Sequence, residues 1–552
     1  MAEGRKRLEI LTGTSDFKEL RDDGFYFVDK SELISDLLKN RSKVYLFTRP
    51  RRFGKSLNLS MLDAFFNLRY KGNNWFDGLK ISDFPEFEQY RNAYPVISLS
   101  MNELDYLDYN EFLSNLKYRI KSLYKEYRYL ETSEKVDPAD REDYRVIVSG
   151  KANPTLLKES LRALCSMLEQ YHGIKPIILI DEYDATLNHA FRKESYEDIL
   201  SILRSFYSLA LKDNKSLTFA VVTGVMQIAK EGIFSGLNNL RVNNIFEVKF
   251  DERYGFTESE VKELCSYYGH PEKFDEAKEW YDGYRFGNAD IYNPWSIMSY
   301  IGNDFDPKAY WAGTSGNDIM DTLLECSTEE TFKDIAALGN GETIPKKLSG
   351  SVAMDELKTR SNAIFSVLAV AGYLNAVPAE GNTYLLSIPN KEMYTVFYDH
   401  ISNYSHGVVD YYSDILDAAE KCNIAGIEKI LYTFFSENIP FLMLRTEYDY
   451  EMALAGVIMS RKGNYNVTME HETGNGRHDL ILARRLAKYP NIVMEFKKAK
   501  SDNESESERL AHEALEQIHQ RDYCKKLKGT TYLYGICFNG KKPKAILEKM
   551  TF

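Results

Sequence analysis

Apolar positions along this chain change their period repeatedly, and each change marks an element. Val44 to Phe47 is a short apolar run of the length a buried strand needs. Leu57, Met61, Leu62, Phe65 and Phe66 then recur at helical spacing. Short apolar runs return at Pro95 to Ser100, Ile177 to Ile180 and Leu217 to Val222, and a fifth, with alternating charge, at Ile245 to Phe250. Helical patterns fall between them, over 105–170 with a polar break near 131–142, and over Tyr196 to Leu211. Strands alternating with helices predict an α/β fold, a parallel sheet with helices on both faces. Ahead of the first strand, Asp29 or Ser31 is placed to cap a short helix carrying Leu33, Ile34, Leu37 and Leu38.

The pattern alters after residue 250. Thr257 caps a predicted helix, and the span from Trp280 to Ile301 crowds aromatics among turn residues, the composition of a small helical lid with a rigid centre. Ser361 to Val370 reads as a helix and Thr383 to Leu386 as a returning strand. Two helices followed by a hairpin outline a winged helix, and the scarcity of basic residues favours a packing role over DNA binding. Residues 406–440 read as a helical connector. Beyond them come strands at Leu480 to Leu482 and Ile492 to Lys497, a helix from Ala511 to Gln520, and a strand from Thr531 to Cys537. The expected division is therefore 1–250, 251–335, 336–435 and 436–552.

Composition narrows the class. With 44% hydrophobic and 28% charged residues over 552 positions, large cores and several domains are expected. A net charge of −12 argues against wholesale coating of nucleic acid but leaves room for a local basic channel. Six cysteines without C-x-x-C spacing fit reduced thiols and no zinc site. No run approaches the roughly 20 apolar residues of a membrane span, and the N-terminus lacks an apolar signal core. A cytoplasmic protein without a membrane partner is expected.

The chemistry is expected at two places. Gly54-Lys55-Ser56 is the second half of a G-x-x-x-x-G-K-[ST] phosphate loop, with Arg49 where the first glycine should stand. A loop that opens a helix offers backbone N–H groups to an anion, and Lys55 adds a full charge. The nucleotide-binding residues are expected to be Arg52, Phe53, Gly54, Lys55, Ser56 and Leu57. The alternative is a plain strand–turn–helix with a surface lysine. The strand at Ile177 ends in Asp181-Glu182, where an aspartate could hold magnesium and a glutamate could polarise water. Thr223, at the tip of the fourth strand, could sense a terminal phosphate or serve only as a cap. Arg285 in the lid could reach a phosphate or simply stack among aromatics. Near the C-terminus, Asp479 begins one strand, and Glu495 and Lys497 lie two apart on another. Two hard-oxygen ligands and a lysine suit magnesium- or manganese-assisted phosphodiester cleavage; solvated charges on an edge strand are the plainer alternative. Lys541, Lys542 and Lys544 could meet a DNA backbone.

These strings resemble a known family. Residues 48–56 (TRPRRFGKS), 179–184 (LIDEYD), 223–225 (TGV), 234–240 (FSGLNNL), 254–261 (YGFTESEV) and 281–287 (YDGYRFG) are similar to the AAA-ATPase-like proteins common in bacteria. The GRHDL and MEFK strings resemble the PD-(D/E)XK nuclease-superfamily domain often fused to them, with IPNKEM at 388–393 in the linker. The resemblance covers nearly the whole chain and makes Arg49 a family feature. It implies an ASCE-type P-loop ATPase with Lys55 and Ser56 on phosphate and magnesium, and Asp181 and Glu182 as metal-holding acid and base. In the nuclease-like domain it implies Asp479, Glu495 and Lys497 as the catalytic set, with Glu451, Glu472 and Gln517 in support. The chain departs from the pattern at Leu454-Ala455, where Tyr-His is frequent, and at Gln227, where arginine is frequent.

The expected function is ATP binding and hydrolysis controlling a magnesium-dependent DNA nuclease, with defence or mobile-element biology as a setting and a homo-oligomer as an option. Arg49, Arg51 and Arg52 are all expected to be available to phosphates or to neighbouring domains. The competing reading is a nucleotide-gated switch that binds a protein or DNA through a non-cleaving nuclease-like module.

Overall fold

Val44 and Leu46 face one layer of helices while Tyr45 and Phe47 face another, which is how a five-residue strand comes to be buried along its whole length. The computed structural model describes residues 7–551 except 103, 105, 191–193, 229–233, 235–238, 312–322, 324–328, 340, 353–360, 405–408, 439–449, 451–453, 455–464, 471–478, 500–502 and 521–526. The chain divides into two compact units, Met1–Val396 and Phe397–Phe552.

In the first unit, β1 (Val44–Thr48), β2 (Val96–Ser100), β3 (Ile177–Asp181), β4 (Ala220–Gly224) and β5 (Leu240–Asn243) form one parallel sheet in the order β2-β3-β4-β1-β5. β4 thus stands between the loop strand β1 and the acid strand β3. Helix α1 (Lys55–Phe66) covers the Tyr45 face with Phe17, Leu33 and Ile34 from the N-terminal helices. The other face is covered by the helices Tyr109–Lys125, Pro154–His172 and Tyr196–Leu211 through Leu116, Leu161, Leu164 and Phe206. The helix Glu32–Asn40 forms as expected, and the Asp29 carboxylate receives the Ser31 N–H at 2.9 Å.

The fifth strand departs from expectation. It is Leu240–Asn243, and 245–250 is not strand. The Arg49 guanidinium draws the carbonyls of Asn243 (2.7 Å) and Phe250 (3.4 Å) onto itself, and Phe250 turns the chain with φ of 64°. Those carbonyls are spent on a side chain rather than on a ladder.

The lid follows. Thr257 and Glu260 make a reciprocal capping box on the helix Glu258–Tyr267. The helices Phe274–Tyr281 and Pro294–Gly302 flank a hairpin of Tyr284–Phe286 and Ala289–Tyr292. Lys30, buried, bonds Glu260 at 2.6 Å and the Glu252 carbonyl at 2.8 Å, fastening the N-terminal segment to this lid. Next come the helices Glu329–Gly339 and Ser361–Val370 and a three-stranded antiparallel sheet of Ile344–Lys347, Thr383–Ser387 and Asn375–Pro378, the winged-helix outline.

The second unit is built on a five-stranded mixed sheet: β6 (Tyr465–Glu470), β7 (Asp479–Arg484), β8 (Asn491–Lys498), β9 (Thr530–Asn539) and β10 (Lys542–Thr551), in that order. Only β8 and β9 run parallel. Alternation decides the faces. Leu480, Leu482, Ile492, Met494 and Phe496 meet Ile415, Leu416, Ile427 and Phe435 from the helices Val409–Glu420 and Ile424–Asn438. Ile481, Val493 and Leu533 meet Leu515 and Ile518 from α2 (Glu504–Gln520). Among the described residues no helix is long and apolar enough to cross a membrane.

Candidate functional site

The loop between β1 and α1 is held residue by residue. Arg49, fully buried, gives its guanidinium to the carbonyls of Thr48, Asn243 and Phe250 and lies over the rings of Tyr254 and Phe286. Burial lowers its pKa to about 10, with Tyr254 and Asp251 opposing. Arg49 is therefore a strut, and the expectation that it is available to phosphates or neighbouring domains is corrected. Pro50 lies against Gly372. The Arg51 carbonyl receives the Trp311 indole N–H at 3.4 Å. Arg52, exposed, stacks on Trp295 at 4.4 Å. Phe53 is buried between Tyr284 and Phe286 of the lid hairpin, so what it can offer an anion is its backbone N–H. Gly54 starts α1 with φ of 79°, a value that favours glycine.

Lys55 follows at the first position of α1, 6% exposed, with Nζ donating to the carbonyls of Arg49 (3.0 Å) and Pro50 (2.8 Å). Burial lowers its pKa, and Asp181, Glu182 and Asp184 pull it back up. Ser56 and Leu57 are half-buried on the first turn.

The acids lie at the carboxyl end of β3, beside Thr223 at the end of β4, where open α/β sheets bind ligands. The Thr223 hydroxyl donates to Asp181 Oδ1, which also receives the Glu182 N–H at 3.1 Å. Glu182 has φ of 50°, a left-handed backbone rare outside glycine and frequent where strain serves a site. Burial raises its pKa first and the neighbouring Asp181 next, with Lys55 lowering it. Asp184, buried, accepts the N–H groups of Val225 (3.0 Å) and Met226 (2.8 Å), binding the acid strand to the turn after β4. A Cβ at Gly224 would meet Asp184 Oδ1 at 2.5 Å, so glycine is required there. Sequence reasoning passed over Asp184; the signal was a third acid in LIDEYD. Arg285 pairs with Asp290 across its hairpin at 2.7 Å. Gln227 lies on a two-residue strand paired with Ser351.

In the second unit, β7 and β8 pair so that Asp479 stands directly opposite Glu495. Paired positions share a face of the sheet. Glu495 is buried, and Lys497 approaches its carboxylate at 4.0 Å. α2 crosses this face closely: a Cβ on Gly535, the register partner of Glu495 on β9, would meet the Ala511 carbonyl at 2.1 Å. Gln517 is half-buried on α2, flanking the stripe Ala511, Ala514, Leu515 and Ile518. Glu451 and Glu472 lie outside the described residues. Leu454 is buried in the core of this unit. Lys544 stands 3.8 Å from Glu428, and Lys541 donates to the Ser436 carbonyl at 3.3 Å, so both are engaged internally.

A parallel sheet with a lysine-bearing loop ahead of α1 and acids at the end of β3 is a P-loop fold, and it is joined here to a mixed-sheet domain. Residues 11–234 match the model of the predicted AAA-ATPase family, and residues 446–548 match that of the PD-(D/E)XK nuclease superfamily. The chain carries both domains. It is 28% identical over 335 residues to an "Uncharacterized protein in vnfD 5'region" of Azotobacter chroococcum mcd 1. That match spans 58% of this chain and 56% of the relative.

Proposed function

We propose that this protein hydrolyses ATP in its first unit and uses the nucleotide state to control magnesium-dependent DNA cleavage by its second. The observation that carries the reading is a buried Lys55, opening α1 after the β1 loop, whose charge is favoured by Asp181, Glu182 and Asp184 at the end of β3.

In the first unit the N–H groups from Arg52 to Leu57 and the Lys55 ammonium receive the phosphates. Ser56 and Asp181, hard oxygen donors, suit magnesium, which supplies neutralisation of phosphate charge when bound. Glu182 takes the proton of the attacking water, a task favoured by a carboxylate made more basic by burial. Thr223 holds Asp181 in place through their hydrogen bond. In the second unit Asp479 and Glu495 are the pair for a magnesium or manganese ion, and Lys497 steadies the phosphoryl charge or the attacking water. Gln517, Glu451 and Glu472 belong to the same reading as supporting residues. The proposed setting is the cytoplasm, in line with reduced thiols at Cys165, Cys265 and Cys422.

The test is cleavage of linear, circular and single-stranded DNA with magnesium and ATP. Wild type cuts; Lys55→Ala loses ATP hydrolysis by on the order of 10³-fold; Asp479→Ala hydrolyses ATP but does not cut. Wild-type DNA binding without cleavage, strengthened by ATP, would sink the nuclease half and favour the nucleotide-gated switch.

A further inference from the structure

Glu392 is a carboxylate that neither site uses. It stands in the 388–393 string (IPNKEM), near the start of the helix Lys391–Tyr404, and is fully buried. Its Oε1 accepts the Trp311 N–H at 2.9 Å. The Ser296 hydroxyl meets both oxygens, at 2.7 and 3.0 Å. Burying a carboxylate costs free energy even when donors surround it. Two donors converging from separate elements therefore point to position as what the group supplies.

Those donors lead to the phosphate loop. Ser296 adjoins Trp295, whose ring carries the Arg52 guanidinium and whose indole N–H donates to the Tyr310 carbonyl at 3.2 Å. Trp311 donates its indole N–H to the Arg51 carbonyl. One carboxylate is thus tied through two tryptophans to two successive residues just ahead of Lys55. We propose that Glu392 is a positioning residue for the phosphate loop, its carboxylate holding Trp295 and Trp311 where they fix Arg51 and Arg52 for nucleotide binding. This rests on the reading of that loop as the nucleotide site.

The clamp has a built-in pH dependence. Burial pushes the Glu392 carboxyl up to about 7 against the pull of its donors. The titratable groups facing it are the phenols of Tyr281, Tyr284 and Tyr310, from the helix before the lid hairpin, the hairpin itself and the chain before Trp311. All three stay neutral in this range, so Glu392 carries the charge change. Protonation gives one oxygen a hydrogen and removes an acceptor from the clamp. Nucleotide affinity therefore rises with pH through about 7.

The full chain is titrated with a fluorescent ATP analogue and magnesium at about pH 6 and about pH 8, beside a pH titration of intrinsic tryptophan emission without nucleotide. Wild type binds about tenfold tighter at the higher pH, the worth of one hydrogen bond to a charged group. Its emission shifts with a midpoint near 7. Glu392→Gln, shown folded by its melting curve, binds weakly at both pH values and loses the emission midpoint. Wild-type affinity and pH dependence in Glu392→Gln, or an unchanged emission midpoint, would overturn the proposal. If Glu392→Gln does not fold, Ser296→Ala decides: loss of that donor moves the emission midpoint upward, and an unmoved midpoint overturns the clamp. Wild type that binds no analogue refutes the nucleotide reading, and the emission titration still judges the clamp on its own.

Discussion

The two acid sites are held in opposite ways. In the first unit Asp181 and Glu182 are neighbours at the end of one parallel strand, and their cation comes from a loop that Arg49, Trp295, Trp311 and the lid hairpin hold in place. In the second unit Asp479 and Glu495 come from different strands, and antiparallel register alone sets them abreast. A loop site depends on contacts that are distant in sequence. A register site depends on alternation, because slipping one residue would turn the whole apolar face outward. Damage should therefore spread in the first unit and stay local in the second.

The largest effects are expected from replacing one acid in each site without changing its size. Glu182→Gln should lower ATP hydrolysis by roughly 10²–10⁴-fold while leaving nucleotide binding intact. Glu495→Gln should abolish cleavage and leave hydrolysis untouched. Phosphate release and DNA cleavage measured on both variants separate the sites; a variant that loses both activities would break the comparison.

Next in size is Arg49→Gly, which restores the missing loop glycine on paper. It strips donors from the carbonyls of Thr48, Asn243 and Phe250 and leaves a void beneath Tyr254 and Phe286. We expect a loss of about 2–4 kcal/mol from the first unit and weaker nucleotide binding. The denaturation transition of the second unit should not move. Unchanged stability of the first unit would show that Arg49 is no strut.

A smaller effect is expected at Thr223. Removing its hydroxyl in Thr223→Val should slow hydrolysis about tenfold through Asp181, and Thr223→Ser should keep the rate. Smaller still is the pH effect of Glu182. Its raised pKa means that the base is lost to protonation at higher pH than a solvated glutamate would be. Single-turnover hydrolysis should fall on the acid side, with its limb above the ordinary carboxylate range. A limb at the ordinary value would count against burial as the tuning force.

Much of this was legible in the sequence where one local signal decides. Val44 to Phe47 and Ile177 to Ile180 are apolar enough to be buried on both faces, and both became strands of the parallel sheet. Ser361 to Val370 is helical over those very residues. Asp479 opposite Glu495 follows from alternation on either side of a short connection. What failed depends on distant partners. Ile245 to Phe250 reads as a strand until Arg49, some 200 residues earlier, takes the flanking carbonyls. Arg285 reads as a phosphate contact or an arginine stacked among aromatics until Asp290 faces it across the hairpin. Asp184 and Glu392 look like ordinary surface acids, since only folding shows the backbone N–H groups that enclose them.

The loop from Arg49 to Phe53 also bears on how such a chain can change over generations. Five successive residues answer to five different neighbourhoods: the end of β5, Gly372, Trp311, Trp295 and the lid hairpin. Arg51 meets Trp311 through its carbonyl, which any residue supplies, whereas replacing Pro50, Arg52 or Phe53 leaves a matching residue far along the chain without its counterpart. Tolerated substitutions should then come in pairs, Arg52 with Trp295 and Pro50 with Gly372. A combinatorial library across those four positions should return correlated survivors rather than independent ones.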